Sequence, residues 1–286
     1  MKKGKIWFIT GASKGLGLAL VKLLLAKGNK VAATSRNATD IEKQIGNNEN
    51  LLLLTVDITS DDSVRKALDE TVEKFGGIDV VVNNAGYSLY GSVESLTDQE
   101  FRQSMDVNFF GTVNVVRNAM HFLRKQKSGH IINFSSVGGY RGYANSPSYA
   151  AAKFAVIGLS ESLAEEVKPF GVNVTVVAPG FFRTDFLNKG DNLMCKNPIP
   201  EYNAQELVDI LQQMNGKQPG DPAKLAQTLI DITEAVEPPV HLLMGPDAYR
   251  IVADKRKQDQ EETEAWKDVS CSTNLDGDDK SSSHLF

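Results

Sequence analysis

The sequence predicts an α/β fold built on a doubly wound parallel sheet, and two observations carry that prediction. Short apolar runs alternate with longer segments of helical periodicity from Lys5 to Val177, the order expected of successive β-α units. The runs are apolar at every position rather than every second one, as in Ile6-Trp7-Phe8-Ile9 and Val80-Val81-Val82. Continuous apolarity suits strands that helices cover on both faces. Right-handed crossovers then bring the carboxyl ends of the strands to one edge, where ligands of such sheets bind.

The first strand, Lys5 to Ile9, ends at Thr10-Gly11. Leu16 to Lys27 has helical periodicity and stops at Gly28, a C-cap signal. Val31 to Thr34 is the second strand, Asn37 to Ile45 a short helix, and Leu51 to Val56 the third strand. Ser60 to Phe75 is an amphipathic helix closed by Gly76-Gly77, and Val80 to Val82 the fourth strand. Asp98 to Lys125 reads as one long helix with Thr97 as N-cap. His130 to Phe134 is the fifth strand, Ser148 to Lys168 a long helix ended by Pro169 and Gly171, and Val172 to Val177 the sixth strand.

Beyond Gly180 the pattern breaks. Asn, Gly and Pro mix with apolar residues over 181–220, which is read as a substrate-binding lid. Asp221-Pro222-Ala223 opens another helix, with Pro at its first position, and His241 to Gly245 is a short final strand. A single domain over 1–250 is thus expected. A charged helical extension follows at 251–286, its last part, Ser270 to Phe286, Ser/Asp-rich and disordered. Trp7 is expected in the core and Trp266 as a docking point of the extension helix.

Composition narrows the functions. Hydrophobic and charged contents of 41% and 23% suit a soluble globular chain of 286 residues. A net charge of −5 gives no general case for nucleic acid or an anionic membrane as partner. Cys195 and Cys271 imply no disulfide framework, and His121, His130, His241 and His284 lack metal-ligand spacing, so no metal is expected. The N-terminal apolar run is too short for a signal-peptide core or a span, and a cytoplasmic protein is expected.

Chemistry concentrates in Ser146-Pro147-Ser148-Tyr149-Ala150-Ala151-Ala152-Lys153. On a helix Tyr149 and Lys153 share one face, and an ammonium beside a phenol favours phenolate, pulling its pKa down. Ser136 ends the strand upstream and could meet them at one crevice. The turn Thr10-Gly11-Ala12-Ser13-Lys14-Gly15-Leu16-Gly17 joins the first strand to the first helix and suits a dinucleotide's pyrophosphate. The second strand ends in Ser35-Arg36, with no acid to receive a ribose 2′-hydroxyl. Arg36, with Lys14, instead suits the 2′-phosphate of NADP(H). Asp57 follows the third strand and could accept from an adenine amine. Asn83-Asn84-Ala85-Gly86 follows the fourth and could approach the ribose.

With Thr-Gly-x-x-x-Gly-x-Gly, Asn-Asn-Ala-Gly, Asn108, Ser136, Tyr149-x-x-x-Lys153 and Pro179-Gly180 in order and spacing, residues 4–250 resemble the short-chain dehydrogenases/reductases. The resemblance implies a Rossmann-type fold with a seven-stranded parallel sheet. It implies hydride transfer between a nicotinamide cofactor, NADP(H) rather than NAD(H), and a carbonyl/alcohol pair. Tyr149 would be the acid/base, Ser136 would orient the substrate oxygen, and Lys153 would hold the nicotinamide ribose and lower the Tyr149 pKa. Asn108 would hold, at a kink of its helix, a water linking Lys153 to solvent. Cofactor contacts are implied for Gly11, Ser13, Lys14, Gly15, Leu16, Gly17, Arg36, Asp57, Ile58, Asn83, Ala85, Gly86, Tyr149, Lys153, Pro179 and Gly180. Thr184 would fix the carboxamide. A homo-oligomer, dimer or tetramer, is expected. Tyr87, Leu89, Tyr90, Val137, Tyr140, Tyr143, Phe181, Phe186, Leu187 and Met194 are expected to line a pocket for a lipophilic substrate. The rival reading is an NADP-binding regulatory or scaffold protein without turnover; the intact set Asn108, Ser136, Tyr149 and Lys153 speaks against it.

Overall fold

The computed structural model describes residues 4–187 and 192–273. Strands β1 (Ile6–Ile9), β2 (Lys30–Ser35) and β3 (Leu51–Thr55) alternate with helices α1 (Gly15–Ala26), α2 (Thr39–Ile45) and α3 (Asp61–Phe75). β4 (Val80–Asn83) and the short β5 (Ser88–Tyr90) precede α4 (Asp98–Met105) and α5 (Gly111–Gln126), with β6 (Gly129–Phe134), α6 (Pro147–Val167) and β7 (Val172–Pro179) after them. β8 (Asn192–Met194), α7 (Ala204–Met214), α8 (Pro222–Ile232), β9 (His241–Met244), α9 (Pro246–Ala265) and α10 (Lys267–Cys271) complete the chain. Seven strands form one sheet in the order β3-β2-β1-β4-β6-β7-β9, and each neighbouring pair is parallel. The order reverses between β1 and β4, so the crevice beyond their carboxyl ends is the ligand edge.

Alternation along β1 explains the two-faced core. Trp7 and Ile9 join Leu20, Val21 and Leu24 of α1 and Leu225 and Leu229 of α8 on one face. Phe8 joins Val64 and Leu68 of α3, Val115 and Leu123 of α5 and Leu163 of α6 on the other. Each such side chain, fully buried, contributes about 1.5–3 kcal/mol. Capping follows the sequence signals. Thr97 and Glu100 form a reciprocal capping box on α4, Asp221 accepts from the Ala223 N–H at 2.8 Å, and Gly76 closes α3 at φ 90°. His130 is structural. Its Nε2 lies 2.9 Å from the Thr175 Oγ1, whose own proton goes to the Pro239 carbonyl, so the imidazole is the donor. Burial pushes its pKa down to about 4, and the ring stays neutral.

Four features differ from expectation. The helix expected over 98–125 is interrupted by a π-helical turn at Asp106–Phe110. Within the segment 181–220, β8 pairs in parallel with β5, and α7 forms a helix. Strands of three residues leave too little periodicity to read. The segment leaves the domain through a pinched stem, where Phe182 bridges Gly220 and the Arg183 N–H donates to the Gly220 carbonyl at 2.9 Å. Trp266 is 62% exposed rather than docked, because α9 buries only Ala248 and Val252, both near its start, and its residues beyond Val252 are exposed or half-buried. Of the tail expected to be disordered, Ser270 and Cys271 are helical in α10, and 274–286 lie outside the described residues.

Candidate active site

β6 ends at Phe134, and the two serines that follow divide their tasks. The Ser135 hydroxyl donates to the Lys153 carbonyl at 2.8 Å, tying the strand end to α6. The Ser136 hydroxyl faces the other way: it accepts from the Gly138 N–H at 3.2 Å and is hydrogen-bonded to the Tyr149 phenol. Pro147 starts α6 at its first position, which places Tyr149 and Lys153 one turn apart on the crevice side. Lys153 is 4% exposed; its Nζ donates to the Phe134 carbonyl at 2.9 Å and lies 5.6 Å from the centre of the Tyr149 ring.

Burial governs the charges here. It pushes the Lys153 ammonium down to about 8. It is also the largest influence on Tyr149, whose phenol is pushed up; the Ser136 hydrogen bond works against this and the Tyr90 phenol adds to it. The direction is opposite to the fall expected from the neighbouring ammonium, because the loss of water around the phenolate dominates and Lys153 is not among the groups that shift the phenol.

The π-helical turn presents Asn108 to this cluster. Its Oδ1 accepts from the Tyr87 N–H, and its Nδ2 donates to the Tyr87 carbonyl, each at 3.1 Å, and to the Ser104 carbonyl at 3.0 Å. A Cβ on Gly86 would stand 2.6 Å from the Asn108 Oδ1 and 3.5 Å from the Lys153 Nζ. Only glycine therefore lets the loop after β4 lie between them. Behind it runs a buried polar chain: the Asn83 Nδ2 donates to the Asn133 Oδ1 at 2.9 Å, and the Asn133 Nδ2 to the Ser160 Oγ at 3.0 Å. The Asn83 carboxamide thus faces the sheet, and Ala85 and Gly86 form the crevice side of the motif.

The glycine turn fits a dinucleotide diphosphate. Gly11, at φ 65°, lies against the loop after β4, where a Cβ would come 2.7 Å from the Ala85 Cα. Gly17 lies as close to the Gly11 carbonyl. Asn84 locks the turn by donating to the carbonyls of Thr10 and Gly11 at 3.0 Å, and the Thr10 Oγ1 accepts from the Asn84 and Ala85 N–H groups at 3.1 Å. α1 starts at Gly15 with no side-chain cap from Lys14 and no acid in its first turn, so its N–H groups and dipole suit an anion. Ser13 and Leu16 flank this helix start. Thr184 crosses over it, its Cβ 3.6 Å from where a Gly15 Cβ would be.

Along the same edge, Arg36 is exposed at the end of β2, and its charge acts on the Tyr87 phenol; burial raises that phenol and Arg36 opposes the rise. Asp57 is exposed, its Oδ1 accepting from the N–H and hydroxyl of Thr59. Ile58 turns its side chain towards Gly111 of α5 and its carbonyl to the Asn114 Nδ2. Pro179 closes β7, and Gly180 packs against the Asp247 carboxylate, which also accepts from the Phe181 N–H at 2.7 Å.

Asn84 and Asp247 are the positions that sequence reading missed as site-shaping residues. The second Asn of Asn-Asn-Ala-Gly carries a signal, while Asp247 reads as an ordinary first-turn acid of α9. The expected pocket lining divides as well. Tyr140 points away, its hydroxyl 2.7 Å from the His241 Nδ1 on the last strand. Tyr90 and Leu187 pack with Phe181 and Met194 against α7, and Leu89 packs with Cys195 and Tyr87. Tyr143 and Phe186 are 40% and 36% exposed.

The family model described as short chain dehydrogenase matches residues 5–192. Oxidoreductase BOA17 of Botryotinia fuckeliana (strain B05.10) is 36% identical over 271 residues, covering 93% of this chain and 98% of that protein. The 3-ketodihydrosphingosine reductase of Bacteroides thetaiotaomicron is 35% identical over 246 residues, covering 85% and 88%. The solved structure of ElxO with NADP bound superposes with a TM-score of 0.70 at 29% identity, covering 84% of this chain and 96% of that one. Among the described residues no helix is long and apolar enough to cross a membrane, and no cluster of His, Cys, Asp and Glu could hold a metal ion.

Proposed function

The chain belongs to the short-chain dehydrogenase family and is an oxidoreductase acting on CH–OH or carbonyl groups with a nicotinamide cofactor; from that premise we propose that it reduces a lipophilic carbonyl with NADPH, using Tyr149 as general acid. The observation that carries this reading is the convergence of Ser136, Tyr149 and buried Lys153 at the carboxyl end of β6.

When bound, the nicotinamide supplies the hydride. The chain's own part is orientation, proton supply and charge. The Ser136 hydroxyl, held by the Gly138 N–H, and the Tyr149 hydroxyl bind the substrate oxygen together. As negative charge grows on that oxygen, Tyr149 gives up its proton and Ser136 stabilises what remains. A phenol kept neutral by burial is in the right state to donate. The Lys153 ammonium stabilises the phenolate so formed, and Asn108 fixes the loop that faces both. In the oxidative direction the same proton path runs backwards.

Arg36, with Lys14, supports NADP(H) as the preferred cofactor, and the NADP-bound relative structure agrees with it. A lipophilic substrate is supported by the exposed aromatic side chains Tyr143 and Phe186 and by the similarity to a protein named 3-ketodihydrosphingosine reductase. The scaffold reading is not favoured, since the matching family model is that of a dehydrogenase and the similar proteins are named as oxidoreductases and reductases. A panel of aliphatic, aromatic and long-chain ketones assayed for NADPH oxidation should give activity that rises with apolar chain length. Equal activity on short polar carbonyls would overturn the substrate assignment, and no turnover across the panel would favour the scaffold.

Assembly as a homodimer is part of the same proposal. Phe110 at the end of the π-helical turn and Phe154 on α6 are 49% and 46% exposed on neighbouring elements, apolar surface that a second copy would cover. Sedimentation should give a dimer and Phe154→Glu a monomer; a monomeric wild-type protein would remove this proposal.

A further inference from the structure

We propose that Arg183, on the stem of the 181–220 insertion, is a ligand of the cofactor's diphosphate and closes on it from the side opposite the α1 N terminus. The inference rests on the dinucleotide reading above and extends it to a residue outside the glycine turn.

A cavity of about 350 Å³ opens beside the start of α1, lined by Gly15 on one side and by Arg183, Thr184, Asn215 and Gly216 of the insertion on the other. The chain at 183–184 passes directly over the helix start, with the Thr184 Cβ 3.6 Å from the position of a Gly15 Cβ. Arg183 is held there at two points. Its backbone N–H donates to the Gly220 carbonyl at 2.9 Å, and its Nε donates to the Gln218 carbonyl at 3.1 Å. Gln218 is 1% exposed, so the anchor is itself buried. A guanidinium has five N–H donors, and among the described residues this arrangement uses one of them, so the terminal pair can serve a ligand as a fixed fork.

The charge balance of the cavity calls for such a cation. Asp185 shares the lining, so a diphosphate seated there needs a cation beside it. α1 contributes a half-charge through its uncapped N terminus, which a diphosphate with two charges exceeds. Arg183 adds a full positive charge and can bond the two phosphates bidentately. Because the same stem carries Thr184, binding of the diphosphate would also seat the residue placed to meet the carboxamide. This couples cofactor binding to the position of the insertion.

The diphosphate is common to NADPH and NADH, and the 2′-phosphate is not, which sets the test. Dissociation constants for NADPH, NADH and adenosine 2′-monophosphate are measured by fluorescence and calorimetry on the wild-type protein, Arg183→Gln and Arg183→Lys. R183Q should weaken both dinucleotides by the same factor, about 10- to 100-fold, leave adenosine 2′-monophosphate unchanged, and R183K should fall between. Unchanged dinucleotide affinity in R183Q, with normal wild-type binding, would overturn this inference alone, as would an equal loss for adenosine 2′-monophosphate. Failure of the wild-type protein to bind either dinucleotide would overturn the cofactor reading and this inference with it.

Discussion

Tyr149→Phe should lower kcat by about 10²- to 10⁴-fold, the usual contribution of a positioned general acid, while the dissociation constant for NADPH stays within about twofold of wild type. The substitution removes one oxygen and leaves the ring, so the packing of α6 survives. The ring also remains where Lys153 stands, 5.6 Å from its centre. What goes is the proton donor and the partner of the Ser136 hydroxyl. Ser136 keeps its bond from the Gly138 N–H and can still orient a carbonyl, so KM should change less than kcat. Equal loss in cofactor binding would mean that Tyr149 shapes the cofactor site instead, and full activity would end its assignment as acid. Lys153→Met makes a useful contrast. It should lose both turnover and cofactor affinity if, as proposed, the ammonium meets the nicotinamide ribose as well as the phenolate.

Arg36→Asp should reverse the cofactor preference. NADPH loses a charge-assisted pair and gains a repulsion at its 2′-phosphate, for a weakening of about 10- to 100-fold. NADH gains an acceptor for its ribose 2′-hydroxyl. Arg36 is exposed, so solvent screening limits the loss, and Lys14 in the glycine turn retains part of the phosphate affinity. The effect should shrink as salt is added. Dissociation constants for the two reduced cofactors, measured at low and high ionic strength, check both statements. An unchanged NADPH-to-NADH ratio would exclude Arg36 as the selective residue. Together with Arg183→Gln, whose loss is common to the two cofactors, the pair separates the adenosine end of the site from its diphosphate.

The order of elements was legible because it is written in local pattern. Apolar runs, helix periodicity, Gly28, Thr97 and Pro222 each act within a turn or two of chain, and the sheet they build brings Thr10 to Gly17, Asn83 to Gly86, Ser136, Tyr149 and Pro179 to one edge. The convergence of Ser136, Tyr149 and Lys153 was legible for the same reason: one helical turn sets the Tyr149–Lys153 spacing, and the strand end sets Ser136. Tertiary structure alone decided the rest. β5 and β8 pair across about a hundred residues with three residues each, too few for any periodicity to announce them. Asp247 reaches Phe181 from a helix that follows the whole insertion. Tyr140 turned to His241 because β9 offered a ring nitrogen at 2.7 Å, which no local pattern could show. The Tyr149 phenol is the sharpest case. Its spacing from Lys153 predicted a lowered pKa, and burial raised it. Sequence fixes which charges are near along a helix, but the loss of water around them is a property of the packed fold.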